Sequence, residues 1–152
     1  MSYSQEDLKN HILSLSKATE FSVAKDEWTL SDFEYHEEFH HCPCGQPIKE
    51  LCHIENSITK KITYVGNVCV KKFMGINTGN LFDGLKRIAK DPTANANEDL
   101  IKHAWALGYI HESEYSFLMD TKSKRKLSTG QLSWKKKINW RILHKAIVRG
   151  EN

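Results

Sequence analysis

The stretch HHCPCGQPIKELCHIENSITKKITYVGNVCVKKF, residues 40–73, contains all four cysteines of this 152-residue chain. Zinc sites need about four soft or borderline ligands that converge tetrahedrally, and sequences usually supply a close pair on a tight turn plus a second pair from neighbouring elements. The spacing in this stretch fits that pattern. It predicts a zinc site with four ligands: Cys42, Cys44, Cys52 and Cys69.

The residues between the cysteines predict a β-hairpin followed by a helix. LCHIEN and KITYVG are rich in β-branched residues, with the polar run SITK between them, and Gly66 permits a backbone bend after the second strand. Cys69 then falls at or near a helix start, where free N–H groups and partial positive charge stabilise a thiolate. Close pair, hairpin and helix follow one another as in a treble-clef finger. Four protein ligands leave no open position on the metal, so the zinc is expected to be structural.

The histidines beside the cysteines leave the ligand set open. Cys52 and His53 point to opposite faces of a strand, so only one of them can reach the metal. His40 or His41 can replace a cysteine of the close pair. In the alternative without a metal, Cys52 and Cys69 are small buried apolar residues.

A resemblance to known proteins extends beyond the cysteines. The run CPCGQPIKELCHIEN, followed by VGNVCVKKFMG, resembles a class of small, mostly uncharacterised zinc-finger proteins that phages and bacterial mobile elements encode. The later run FLMDTKSKRKLSTGQLSWKKKIN resembles the basic helical tail of such proteins. The resemblance covers about residues 40–142. It implies a treble-clef-like module, cysteine ligands and a setting in viral or mobile-element DNA biology, but no established activity.

Outside the cysteine segment the sequence predicts mainly helices. Leu8 and Ile12 recur at helical spacing within residues 4–18, whereas residues 20–41 have scattered aromatic and acidic residues and predict irregular or extended chain. Further helices are expected over residues 80–91, 95–109, 112–120 and 128–149. The expected fold class is α+β, with a small treble-clef-like zinc module joined to a mainly helical C-terminal half. The expected regions are an acidic segment 1–41, the zinc module 42–76 and a helical region 77–152.

Charge is distributed unevenly along the chain. Residues 1–41 hold nine acidic residues against three Lys or Arg, whereas residues 121–150 hold ten Lys or Arg and no acidic residue. Such a separation of acidic from basic residues is informative about the electric field of the protein and about its binding partners, but not about its fold. Because clustered cations displace counterions from nucleic acid, the basic segment predicts phosphate contacts. The predicted contacts are Lys122, Lys124, Arg125, Lys126, Lys135, Lys136, Lys137, Arg141 and Lys145.

Two tryptophans in the basic segment have two interpretations. Trp134 and Trp140 can stack on unpaired bases, but tryptophans at helical spacing more often anchor a core. The basic surface itself fits nucleic acid, with DNA preferred over RNA, an acidic protein partner, or the acidic first 41 residues of the same chain. The expected function is a zinc-containing accessory protein that binds nucleic acid. The alternative is an interaction module that binds a host DNA-handling or defence complex.

A metal-dependent nuclease of the HNH type is the third hypothesis. Such an enzyme would use nearby histidines as base and metal ligand, for which His36, His40, His41 and His53 are available. It also needs a second metal site beside the helix, yet the sequence VKKFMGI after Cys69 has no His, Asp or Glu. No catalytic residue is therefore expected.

The sequence also predicts the compartment. No apolar run reaches the roughly 18–20 residues that a membrane span needs, and the first residues lack the basic and then apolar pattern of a secretory signal. A cytoplasmic protein is therefore expected. In a reducing compartment, clustered cysteines are more often metal ligands than disulfides.

Overall fold

A computed structural model describes residues 4–149 of the chain. The chain divides into two compact units, one that extends to Thr78 and one that begins at Gly79. The first unit contains a three-stranded antiparallel sheet with short helices, and the described part of the second unit contains helices alone. The predicted α+β class is confirmed. Each described helix is too short or too polar to span a lipid bilayer.

The first unit opens with helix α1, Gln5–Ser14. Ser4 caps it, because its hydroxyl accepts the N–H of Asp7 at 3.0 Å. Leu8 and Ile12, four residues apart, are its fully buried side chains. This helix is the one predicted from the spacing of the same two apolar residues.

Three strands form the sheet in the order β1-β2-β3. They are β1, Trp28–His41, β2, Pro47–Asn56, and β3, Ile62–Gly66, and each neighbouring pair is antiparallel. Strands β2 and β3 are the predicted hairpin. Helix α3, Asn67–Lys72, follows β3 without a loop, so the helix start lies at the end of the sheet.

Residues 20–41 differ most from the prediction. They form a short helix α2, Phe21–Ala24, a 3-10 turn, Lys25–Glu27, and then the whole of β1. Only Trp28 and Phe33 of β1 are buried, so the strand lacks the alternation that marks a half-buried strand in a sequence. It forms because β2 pairs with it along most of its length.

The pairing of β1 with β2 crosses one predicted boundary of the chain. The predicted boundary between residues 41 and 42 falls at the end of β1, and the hydrogen bonds of one sheet join the residues on either side of it. The acidic segment and the cysteine segment therefore belong to one unit. The helical unit begins at Gly79 rather than at residue 77.

Four helices make up the described part of the second unit. They are α4, Leu81–Lys90, α5, Glu98–Leu107, α6, Glu112–Thr121, and α7, Thr129–Leu143. Each contributes apolar side chains at helical spacing to a common core. Its buried members include Leu85, Ile88, Leu100, Ile101, Leu118, Ile138 and Ile142.

Helix α7 ends earlier than the predicted residue 149. It stops at Leu143, and Lys145 takes a left-handed φ of 54°, so the chain turns away from the helix axis. The last described residues return to Gly108, whose carbonyl accepts the N–H groups of Val148 at 2.8 Å and Arg149 at 3.1 Å. The helix is thus followed by a strap that packs on the same unit.

Candidate functional site

Three cysteine thiols converge in the first unit. Cys42 directly follows β1, Cys44 lies in the turn to β2, and Cys69 lies in α3. Their sulfur atoms all lie within 4.8 Å of one another, and the Sγ atoms of Cys44 and Cys69 are 3.6 Å apart. In a tetrahedral zinc site, bonds of about 2.3 Å place the sulfurs about 3.8 Å apart. These buried thiols, the three-thiol site, therefore have the spacing of three corners of such a site.

Two glycines bring the backbone around the three-thiol site together. Gly45 has a φ of +95°, and its N–H donates to the carbonyl of Cys42 at 2.8 Å, which closes the turn. The N–H of Gly66 donates to the Sγ of Cys42 at 3.4 Å. A Cβ at Gly66 would lie 3.0 Å from the side chain of Ile48, so the close approach of β3 depends on the missing side chain.

Hydrogen bonds and burial set the ionisation of these thiols. The hydrogen bond from Cys69 lowers the pKa of Cys42 to about 5 against the opposing effect of burial, and the N–H groups of Cys44 and Gly66 help. The same hydrogen bond, with burial, raises the pKa of Cys69. The proton of Cys69 thus favours the thiolate form of Cys42. A metal cation can replace that proton.

Cys52 lies outside the three-thiol site, which differs from the predicted set of four ligands. It is fully buried in β2, opposite Phe33 of β1 and Val65 of β3, and its sulfur lies 3.9 Å from Oδ1 of Asn67. Burial, and then the negative charge of Glu50, raises the pKa of Cys52 to about 12. The thiol is therefore protonated at neutral pH. Residues opposite each other on paired strands lie on the same face of a sheet, so the side chain of Cys52 lies on the face that carries Phe33 and Val65.

The nearby histidines do not complete the three-thiol site. Within residues 4–149, its three cysteines are the only group of three or more potential metal ligands that converges. The ring of His40 lies against that of His36, with centroids 4.4 Å apart, and His41 is exposed. Neither histidine of the pair 40–41 therefore substitutes for a cysteine here.

Glu34 organises the other histidines on the sheet. Its Oε2 lies 2.6 Å from Nε2 of His36, and its Oε1 lies 3.0 Å from Nε2 of His53. Each oxygen of the Glu34 carboxylate thus contacts the imidazole of one histidine. This arrangement fixes the rings to each other, but among the described residues it does not bring three ligand atoms to one point.

Lys135 is buried rather than available to an external ligand. Its ammonium donates to Oδ1 of Asn95 and lies 5.7 Å from the ring centroid of Phe117. Burial lowers the pKa of Lys135, because the charged form loses its hydration. The structure therefore corrects the predicted phosphate contact at this position.

Arg141 is also turned inward. Its guanidinium pairs with Glu114 and donates to the carbonyl of Tyr109 at 3.1 Å. Burial opposes ionisation of Glu114, but hydrogen bonds from Arg141, the N–H of His111 and the indole of Trp134 outweigh it, and the pKa of Glu114 is lowered. The pair ties α7 to α6. Arg141 also lines a groove along α7, so a phosphate contact at this position stays a prediction.

The other predicted cations lie at the surface of the second unit. Lys122 is half-buried, with its Nζ 3.8 Å from a carboxylate oxygen of Glu98, and Lys145 is half-buried at the left-handed turn. The exposed cations of the predicted set are Lys124, Arg125, Lys126, Lys136 and Lys137.

An open groove of about 530 Å³ runs along α7 beside two of these cations. Trp140 is 55% exposed in it, and its ring stacks on that of His144 with centroids 4.1 Å apart and planes at 17°. The Nδ1 of His144 donates to the carbonyl of Trp140 at 2.8 Å, which holds the imidazole over the indole. This Trp140 groove is lined by Ser133, Lys136, Lys137, Trp140, Arg141 and Ala146.

The other tryptophan of α7 has a different environment. The ring of Trp134 stacks on Phe117 with centroids 4.3 Å apart, and its Nε1 donates to Glu114 at 3.1 Å. Both its face and its polar atom are engaged within the unit. Trp134 therefore fits the interpretation as an anchor, whereas Trp140 offers a ring to an external partner.

No protein-family model, curated protein or solved structure matches this chain. The chemistry of its own residues indicates what each site can bind. The three-thiol site can hold a metal ion. The Trp140 groove combines an exposed aromatic stack with two surface ammonium groups.

Proposed function

We propose that this protein binds single-stranded nucleic acid, DNA in the first place, through the Trp140 groove. The supporting observation is the exposed ring of Trp140, which His144 holds in a fixed position at the end of α7. Stacking of one base on an aromatic side chain contributes about 1–3 kcal/mol and tolerates any sequence. The bases of a duplex are stacked on one another and leave no face for such a ring, so unpaired bases are the better ligand.

The positive charges of Lys136 and Lys137 support the same proposal. Both are exposed, both line the Trp140 groove, and neither has an ion pair within the described chain. Ammonium groups beside a stacked base can contact the phosphates on either side of it. Each phosphate that is neutralised releases counterions, so binding should weaken steeply with salt.

For the first unit we propose a structural zinc ion. The three-thiol site supplies thiolate ligands, which suit zinc, and the order of C-x-C turn, hairpin and helix is the reason to consider the module treble-clef-like. Cys52 remains the predicted fourth ligand, and it would have to leave its present position in β2 to reach the metal. The resemblance of this segment to phage and mobile-element zinc fingers supports a setting in the DNA biology of such elements.

The test is the affinity for a fluorescent oligothymidylate and for a duplex of equal length, measured by anisotropy across a salt series. Trp140→Ala should weaken single-strand binding by at least about fivefold, because one stacking contact is lost. Lys136→Gln and Lys137→Gln should each reduce the slope of log affinity against log salt by about 1.

Two substitutions serve as matched controls. Trp134→Phe changes a tryptophan of the same helix that does not line the groove, and Lys61→Gln removes an exposed charge of the first unit. Neither should change the affinity. Absence of single-strand binding at low salt would contradict the proposal and favour an acidic protein partner, to be sought by pull-down with the same variants.

A further inference from the structure

A second, polar cleft of about 430 Å³ lies in the helical unit. Its walls are the last turn of α4, the loop that follows it, and the segment between α6 and α7. Four cations line it, one from α4 and three from the segment after α6: Arg87, Lys122, Lys124 and Arg125. The hydroxyl-bearing Thr93 and the carboxylate of Asp91 line it as well.

The charge of this cleft is largely uncompensated. Arg87, Lys124 and Arg125 have no ion pair among residues 4–149, whereas Asp91 already accepts the N–H and hydroxyl of Thr93 through Oδ1 at 3.0 and 2.9 Å. Three cations without an ion pair against one carboxylate, with Lys122 offset by Glu98, leave a net charge of about +2. Lys122 also lines the cleft, with its Nζ 3.8 Å from the carboxylate of Glu98, which lies outside the lining.

Two side-chain amides, of which that of Asn139 is buried, fix the walls of the cleft. The Nδ2 of Asn139 donates to the carbonyls of Pro92 and Ala94, both at 2.9 Å, and the Nδ2 of Asn95 donates to the carbonyl of Lys124 at 2.9 Å. The loop after α4 is therefore tied both to α7 and to the cationic segment. Cations on walls that are already ordered lose little further backbone freedom when an anion binds.

The cleft and the Trp140 groove are neighbours along α7. Leu132 lines the cleft, Lys136 lines the groove one turn later, and Trp140 follows after one more turn. Eight residues of α-helix span about 12 Å. A flexible strand that follows the helix can therefore place a phosphate in the cleft while one of its bases lies on the indole.

We infer that the cleft binds the terminal phosphate of the single strand whose base stacks on Trp140. This inference rests on the proposed function and adds a preferred strand end to it. A phosphomonoester carries about −1.5 to −2 charges at neutral pH, which matches the free charge of the cleft, whereas an internal phosphodiester carries one. Arginine side chains such as Arg87 and Arg125 suit the oxygen-rich end of a phosphate, because they offer several donors in one plane.

The test compares oligothymidylates of about six nucleotides, a length within the usual range of single-strand sites, that carry a phosphate at the 5′ end, at the 3′ end, or at neither. One phosphorylated end should bind about tenfold more tightly than the strand without phosphate, as expected for hydrogen bonds to a charged group. Arg125→Gln should remove most of that gain, so it should weaken binding of the phosphorylated strand several-fold more than binding of the strand without phosphate. Lys126→Gln is the matched control, because Lys126 is adjacent and exposed but does not line the cleft.

The outcomes separate this inference from the proposed function. If all three strands bind equally, or if Arg125→Gln and Lys126→Gln act alike, the cleft is not a terminal-phosphate site, although binding in the Trp140 groove stands. If Trp140→Ala weakens every strand while the phosphate gain persists, both ideas are supported. If no strand binds at low salt, the proposed function fails and this inference fails with it.

Discussion

The two units of this chain bury charge in opposite ways. In the first unit the buried carboxylate of Glu27 has no ion pair among residues 4–149, and it accepts the N–H groups of Lys17 and Ala18 and the amide of Asn56, all at 2.9 Å. In the second unit the buried carboxylate of Glu114 pairs with an arginine. Two backbone N–H groups and one side-chain amide hold the carboxylate in the first unit, while an ion pair in the second unit joins two helices.

The two units also differ in the kind of ligand that their remaining polar groups can bind. The three-thiol site brings together three sulfur atoms that can bind a metal ion, and the pKa of one of them, Cys42, is lowered. The helical unit satisfies its buried cations internally and leaves other cations at its surface. We therefore expect the first unit to depend on a metal for stability, and the second unit to fold without one and carry the ligand-binding surface.

Metal removal should have the largest effect and should affect the first unit alone. Chelation of zinc, or Cys69→Ser, removes the metal that would join the cysteine turn to α3, and structural zinc commonly contributes about 10 kcal/mol or more of apparent binding energy. Amide hydrogen exchange should show lost protection in β1, β2, β3 and α3, with α4 to α7 protected as before. Unchanged exchange in the sheet after metal removal would contradict a structural metal.

Cys52→Ala sharpens the same experiment. In the present geometry it removes a buried thiol without touching the three-thiol site, so bound zinc should stay stoichiometric and stability should fall by about 1–2 kcal/mol. Metal analysis of the purified variant is the measurement. If Cys52→Ala instead lost zinc as completely as Cys69→Ser, the result would support the site with four cysteine ligands that the sequence predicts.

Arg141→Met should have the next largest effect, this time in the helical unit. It leaves Glu114 buried and charged without its partner, which costs about 3 kcal/mol at neutral pH. Because the pKa of Glu114 is lowered in the folded protein, the stabilisation by the pair is present above the unfolded pKa of about 4.3 and is lost as the pH falls through the folded value. Urea unfolding should therefore show the gap between variant and wild type narrowing below about pH 4.

The double variant Glu114→Gln/Arg141→Met is the control for this pair. It removes the unpaired charge, so it should lose less stability than Arg141→Met alone. A double variant less stable than the single one, or a gap that stays constant down to pH 3, would show that the ion pair is not the cause.

Lys135→Met should have the smallest effect. Methionine has a similar length and needs no hydration, so stability should change by less than about 1 kcal/mol and oligonucleotide affinity should stay the same. Lys136→Met is the matched variant, because it should leave stability unchanged and lower the affinity several-fold. Equal losses of affinity in both variants would show that Lys135 turns outward to the ligand.

Local signals allowed much of this fold to be predicted. Ser128 and Gln131 form the capping box that their spacing indicates, Asn97 caps α5, and Gly108 ends it with a φ of 83°. Strand β1 was not predictable in the same way. Its residues have no strand pattern of their own, and the partner that makes them a strand, β2, is separated from them by the cysteine turn.

The site was predictable in its composition but not in its orientation. Alternation along a strand shows that Cys52 and His53 face opposite ways, yet not on which face the other thiols lie. Likewise, the side of α7 that faces inward depends on contacts with Phe117 and Glu114 of α6, which are distant in sequence. Trp140 had two interpretations for the same reason, and its exposure in the structure favours the one in which it meets a ligand.

The run of three lysines at positions 135 to 137 has a consequence for regulation. One ammonium is enclosed by the helical unit, while its two neighbours in sequence are exposed at the groove. A lysine acetyltransferase can reach only the exposed pair, and acetylation there removes positive charge without disturbing the interior. Acetylation of one lysine and then of the other would thus lower the affinity for the proposed nucleic-acid ligand in two steps and leave the folding of the protein unchanged.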